Sequence, residues 1–368
     1  MAASDNLPHK SYRFQNGIRI VSGYGASIRV DRGHLVIRDS GMAGTGEARL
    51  ERIGHGLIRL VVISPDWYIT GAALEWLTHA DASLVVLERD GEVFCATGRQ
   101  GTSEAKLRRA QACLPDAVAL RIAKQLVDRK LEGQERNVRE LLGNKAAAHA
   151  IAAYRLVLYR KANTPSRLRG LESRAAAIYW SAFEHQTVTW ERSDLPKIPK
   201  RWKEWGSRHS PLTSPSPRLS VTPAHSCLNY LLSVLESEAR IALTALGLDS
   251  KLGVFHVDRG YRDSLCFDIS EPVRPQVERW LWEFLREPQE RRMYFERQDG
   301  CVRLMSAVCK RLAETAPMWR RALAPVAEWL TEEIWKTIPA GQVRKPSTRL
   351  TQSARRESKR QQTSRVVG

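Results

Sequence analysis

"LVVLERDGEVFCATGRQGTSEAKLRRAQACL", residues 84–114, contains the change of period that decides the fold. Its first half reads as two short strands around an Asp90-Gly91 turn, a hairpin signal. Its second half places apolar residues three and four apart. The same spacing continues through "DAVALRIAKQLVDRKLEGQERNVRELL", with Val118, Ile122, Leu126 and Leu131 on one stripe. Pro115 and Asp116 mark a break and a new helix start. The switch from period 2 to period 3.6 therefore falls near residues 98–104.

Working outward, the N-terminal side stays β-rich. "ASIRVDRGHLVIRD" alternates about an Asp-Arg-Gly turn, and "LIRLVVIS" is a further strand. "TGAALEWLTHA" reads as a short helix capped by Thr70, with Ala73, Leu74 and Leu77 toward the sheet. The C-terminal side is helical: "AAAHAIAAYRLVLYRKA", "LLSVLESEARIALTALG" and "PVRPQVERWLWEFLRE" all carry helix-period stripes. The fold class is α+β. A β-rich domain over residues 1–100 precedes a mainly α-helical domain over 101–338. Within it, residues 193–223 are rich in Pro, Ser and basic side chains and are expected to form a mobile loop. Residues 339–368 read as a disordered basic tail.

An apolar fraction of 43% and eleven tryptophans in 368 residues are enough for a substantial core and argue against global disorder. The net charge of +18 points to a polyanionic partner. The excess is not confined to the tail, which holds eight basic residues and one acid over 341–368. Nucleic acid along the folded body is the expected partner. The six cysteines form no Cys-x-x-Cys pair and suggest neither a zinc site nor a disulfide framework. No leader and no apolar run near eighteen residues is read, so the expectation is a cytoplasmic protein without a membrane partner.

Against that charge, "VFHVDRGYRDSLCFDISEPVRPQVE", residues 254–278, puts a histidine and several acids among core-type residues. Asp268 and Glu271 are three apart and share a face if the segment is helical. They fit the first turn of a helix, with Pro272 opening it, or a functional carboxylate pair. His256 lies twelve residues before Asp268; His and Asp together suit Mg²⁺ or Mn²⁺, yet an apolar neighbourhood also suits a structural histidine. A third ligand would come from "TPSRLRGLESRAAAIYWSAF", residues 164–183, where Glu172 falls near the apolar face. Glu172 is equally placed to pair with Arg169 or Arg174.

These passages resemble the CRISPR-associated spacer-acquisition integrase family, the large subunit of the adaptation complex. "RLRGLESRAAAIYWSAF" is similar to its Leu-Arg-Gly-x-Glu motif. "LNYLLSVLESEARIALTALGLDSKLGVFH" is similar to its long helix leading to Gly-x-x-His. "RDSLCFDISEPVRPQVE" is similar to its Ser-Leu-x-x-Asp-x-x-Glu-Pro-x-Arg-Pro segment, and "ISPDWYITGAALEWLTHADASLVVLERDGEV" is a weaker match. The resemblance spans most of residues 18–310.

It implies that Glu172, His256 and Asp268 hold one divalent metal, Mg²⁺ or Mn²⁺, with Glu271 as a further acidic catalytic position. It implies an integrase and endonuclease that inserts short DNA spacers into a CRISPR array by 3′-hydroxyl transesterification. A homodimer, double-stranded DNA and a small adaptation subunit are the implied partners. Arg259, Arg262 and Arg274 are candidates for flanking phosphates, or for pairing with Asp258, Asp263 and Glu271. Lys200 and Arg201 in the basic loop are candidates for tracking duplex DNA, while Trp202 and Trp205 fit base packing or loop anchoring. Two alternatives are a transposon-type integrase with the same catalytic domain and a catalytically inactive DNA-binding scaffold.

Overall fold

A computed structural model of the chain describes residues 17–22, 24–39, 46–64, 66–87, 93–97, 105–208, 219–258, 262–338 and 351. The Asp90-Gly91 turn, Arg259 and almost all of the 339–368 tail lie outside these residues. The N-terminal part is built from β1 (Ile18–Val21), β2 (Ala26–Asp31), β3 (His34–Asp39), β4 (Gly46–Leu50), β5 (Arg59–Val62), β6 (Trp67–Ile69), α1 (Gly71–His79), β7 (Ser83–Leu87) and β8 (Val93–Thr97). They form two four-stranded sheets, ordered β1-β5-β7-β8 and β4-β3-β2-β6. The β2–β3 turn has Arg32 and Gly33 at φ +47° and +82°. This left-handed pair is the turn whose twist matches antiparallel strands.

The first sheet explains how the two halves join. β1, β5 and β7 pair in parallel, and β5 is buried along its whole length. Its residues alternate, as a strand covered on both faces requires. Leu60 and Val62 enter the core between the sheets, with Ile28, Leu35, Ile37 and α1. Val61 joins the helical core together with Ile18, Ile20, Val85 and Leu87. Arg59 also points to the helical side and pairs there with Glu238, both nearly inaccessible. On α1, Thr70 caps the helix as expected, accepting from Ala73 N. The inward residues are Ala73, Trp76 and Leu77, an i, i+3, i+4 stripe; Leu74 lies beside that stripe and is exposed.

The helical part comprises α2 (Ala105–Ala112), α3 (Asp116–Glu140), α4 (Lys145–Lys161), α5 (Pro165–Phe183), α6 (Pro223–Leu246), α7 (Ser264–Ser270), α8 (Arg274–Arg286), the short hairpin β9 (Tyr294–Glu296) and β10 (Val302–Leu304), α9 (Ser306–Ala313) and α10 (Ala316–Trp335). Thr164 and Thr222 cap α5 and α6, each followed by a proline in the first turn. Gly247, at φ +80°, ends α6 in the left-handed conformation. Among the described residues, no helix is long and apolar enough to cross a membrane.

Two sequence expectations change here. The segment from Pro272 onward is not one helix: α7 ends before Glu271, and α8 starts at Arg274 with Pro275, not Pro272, in its first turn. Pro272 has no N–H to continue the ladder, so the chain kinks at the acid pair. The expected mobile loop is also pinned in its first half. Ile198, Trp202 and Trp205 are buried. Trp202 stacks on Trp190 with centroids 6.1 Å apart, and the Arg291 guanidinium lies 4.4 Å from its ring. The polar segment gains a core from α5, β9 and its own tryptophans. Residues 209–218 are outside the described set. Trp202→Ala is expected to destabilise the protein by about 3 kcal/mol, read as a shifted urea midpoint, because it leaves a large cavity.

Candidate metal centre

α3 carries the site's foundation. Its buried stripe, Ile122 and Leu126, turns polar at Lys130, Gln134 and Asn137. Lys130 is only 5% exposed. Its ammonium lies 2.5 Å from Glu172 Oε1 on α5 and 2.6 Å from Glu271 Oε2 at the α7–α8 kink. α3 reaches this kink closely: a Cβ on Gly133 would sit 2.7 Å from Pro275 Cβ. Asn137 donates to the Pro275 carbonyl at 2.7 Å and to the Tyr179 hydroxyl at 3.2 Å. These contacts tie α3, α5 and α8 together around the carboxylates.

The loop after α6 supplies His256. Gln111 on α2 holds the loop's start, donating to the carbonyls of Asp249 and Leu252 and accepting from Asp249 N. Asp268, fully buried on α7, holds its end. One oxygen, Oδ2, accepts from the backbone N–H of Val254 at 2.5 Å and of Phe255 at 3.0 Å. The other, Oδ1, accepts from His256 N at 2.9 Å and faces His256 Nδ1 at 2.7 Å. A carboxylate there makes Nδ1 the protonated nitrogen, so Nε2 keeps its lone pair. Nε2 lies 3.9 Å from Glu271 Oε1. Gly253 is required by this fold of the loop, since a Cβ would sit 2.7 Å from His256 O and 2.8 Å from Ser264 Cβ.

Glu271 meets Lys130, Arg274 and His256. Arg274 donates to its Oε1 at 3.0 Å. Burial opposes ionisation of Glu271, but the Lys130 and Arg274 cations outweigh it and hold its carboxyl well below the ordinary 4.5. A depressed carboxyl contributes stability that is complete above the unfolded value and lost as pH falls through the folded one. The Tm gap between wild type and Glu271→Gln is therefore expected to stay level from neutral pH down to about 5 and to shrink below about 4.5. A gap that instead grows on acidification would contradict the ion cluster. Glu278, buried beside Arg274 and Tyr179, is shifted the other way, because desolvation dominates.

The four acid and histidine candidates thus converge, but unequally. His256, Asp268 and Glu271 are neighbours, and Glu172 joins them through Lys130 rather than through Arg169 or Arg174. Among the described residues, no three His, Cys, Asp or Glu side chains stand in ligating arrangement; the ammonium occupies the space between the two glutamates. Arg274 is engaged internally with Glu271 and approaches Glu278. Asp263 pairs with Arg240, and the Arg262 guanidinium lies over the Phe267 ring at 4.6 Å. Lys200 is exposed, and Arg201 pairs with Glu296. Lys130 was not singled out from the sequence. Its signal was a lysine in line with Ile122 and Leu126 on an otherwise buried stripe.

Comparison with known proteins places the chain in a family and a fold. The family model described as "CRISPR associated protein Cas1" matches residues 20–316. A protein named CRISPR-associated endonuclease Cas1 1 from Archaeoglobus fulgidus is 25% identical over 276 residues, covering 70% of this chain and 74% of its own length. A CRISPR-associated endonuclease Cas1 2 from Rhodospirillum rubrum is 26% identical over 300 residues, covering 78% and 80%. Among solved structures, a casposase bound to integration product superposes with a TM-score of 0.71 at 18% identity, covering 88% of this chain and 92% of that one. A Cas1 protein from Thermotoga maritima gives 0.67 at 15% identity, covering 88% and 99%. These structures share the fold, with strands first and helices after. The chain belongs to the CRISPR-associated Cas1 family.

Proposed function

We propose that this chain is a divalent-metal-dependent DNA endonuclease and integrase that inserts short DNA into a CRISPR array through 3′-hydroxyl transesterification. The observation that carries the reading is the cluster itself: two glutamates gathered about one buried ammonium, with a histidine of fixed tautomer beside one of them. The donor set fits a hard divalent ion such as Mg²⁺ or Mn²⁺. Glu172, Glu271 and His256 Nε2 would hold it. Asp268 acts by orienting His256 and the 254–256 backbone, since both its oxygens are already engaged. This reading moves the third ligand from Asp268 to Glu271. When bound, such an ion neutralises phosphodiester charge and polarises the reacting oxygens.

The chain's own residues do the remainder. The site is held by three helices and a pinned loop, so the ligands need little reorganisation. Exposed Lys197, Lys200 and Lys203 project from the anchored loop and supply charge for a DNA backbone. Such binding is strongly salt-dependent. Joining both strands of a short duplex needs two sites, which a homodimer provides. A small Cas2 subunit is the proposed partner, on the likeness in fold to the Cas1 portion of a Cas6-RT-Cas1–Cas2 complex, at a TM-score of 0.64 and 17% identity.

The test uses a duplex with labelled 3′-hydroxyl ends and a supercoiled target bearing the repeat, with Mn²⁺ or Mg²⁺ and with or without the small subunit. Label joined to the target by wild type, and lost in chelator and in His256→Ala, is the expected result. Salt-sensitive DNA binding with no joining under either metal, even with the partner present, would move the assignment to an inactive scaffold. The casposase likeness favours a second reading, integration of an element's own ends. Equal joining to repeat-free plasmid would support it.

A further inference from the structure

We propose that Lys130 is the resident counter-ion of this centre: it keeps Glu172 and Glu271 aimed at one volume, and an incoming divalent cation binds by displacing its ammonium. The inference rests on the metal-site reading above and adds how the site is held before the metal arrives.

The geometry is specific to that role. Nζ is within 2.6 Å of an oxygen from each glutamate, so it stands where a cation shared by both would stand. Lys130 has little access to solvent, and among the described residues its ion-pair partners are these two carboxylates. A buried lysine contributes less to stability than an apolar side chain of the same volume unless its charge is matched. Here the match is close. Glu271 retains Arg274 as a second partner, while among the described residues Glu172 pairs with Lys130 alone. Without the ammonium, three carboxylates (Glu172, Asp268 and Glu271) would share this centre with one guanidinium, that of Arg274. Repulsion would then turn the movable side chain, Glu172, outward.

The backbone enforces the placement. The close approach of Gly133 to Pro275 and the Asn137 hydrogen bond to the Pro275 carbonyl fix α3 against the kink. Lys130 lies one turn before Gly133 on the same helix. An ammonium cannot share the space with a divalent ion, so occupancy by one excludes the other. Lys130 is thus a positioning residue whose presence weakens metal binding while preparing its ligands.

The experiment compares wild type with Lys130→Met, measuring Mn²⁺ affinity from the free-ion electron paramagnetic resonance signal and Tm with and without Mn²⁺, all without DNA. Lys130→Met is expected to melt lower without metal, to bind Mn²⁺ about tenfold more tightly, and to show a larger Mn²⁺-induced rise in Tm. Mn²⁺ binding by wild type that is equal or tighter than in the variant would overturn the proposal and leave the metal site standing. Mn²⁺ binding by neither protein would overturn both. If Lys130→Met fails to fold, Lys130→Met/Glu172→Gln decides. Recovered folding supports a charge-holding role; continued failure shows that Lys130 serves packing alone and overturns it.

Discussion

In Glu271→Ala, strand joining is expected to fall by about three orders of magnitude, equivalent to roughly 4 kcal/mol of lost transition-state stabilisation. Glu271 is where the cluster's interactions meet. It faces Lys130, Arg274 and the Nε2 edge of His256, and it is nearly inaccessible to water. Removing it takes away a proposed metal ligand and leaves two cations without a shared partner. The cluster then loses one of its three negative charges. Glu271→Gln keeps the volume and separates charge from packing; it should retain the fold at neutral pH and lose nearly as much activity. Activity within tenfold of wild type in the glutamine variant would assign Glu271 to structure. Joining and cleavage rates at saturating Mn²⁺, with circular dichroism as the folding control, make the measurement.

Asp268→Ala is expected to fail differently, by losing the loop. Three backbone N–H groups and an imidazole N–H converge on one buried carboxylate. Its removal leaves these donors without their acceptor, and the destabilisation is expected to be about 3–5 kcal/mol. Asp268→Asn should be nearly as damaging, because an amide nitrogen would face donors where an oxygen now accepts. In both variants hydrogen exchange at Val254, Phe255 and His256 should rise steeply, while α3 and α6 stay protected. Unchanged protection of those three amides would show that the loop holds itself. The contrast matters: Glu271 variants should exchange normally at the loop, and Asp268 variants should not.

The residues explain what could be read in advance. The strand-to-helix boundary was legible because period 2 in β8 gives way to period 3.6 in α2, and that pattern depends only on local sequence. His256, Asp268, Glu271 and Glu172 were legible as chemistry-bearing types at odds with their apolar surroundings. Their division of labour was not. Whether Asp268 or Glu271 faces a cation depends on what the fold brings to each: the 254–256 backbone closes over Asp268, and Lys130 of α3 reaches Glu271. Spacing rightly put both on one helical face, beside His256, but carried no information on which other groups would meet each acid. Lys130 was hidden for a similar reason: its partners are 42 and 141 positions away along the chain, and only helix packing brings them together. The basic segment after Asp194 read as a mobile loop because its composition is polar. Its tryptophans find partners on β9 and α5, which no local window contains.

The most direct measurement is an anomalous difference map from crystals of the metal-loaded protein, collected at the manganese edge. One peak bounded by Glu172, Glu271 and His256 Nε2, with Asp268 still bonded to the 254–256 backbone and Lys130 withdrawn, is the expected result. A peak liganded by Asp268, with the loop released from it, would contradict the assignment of these two acids and the centre described here.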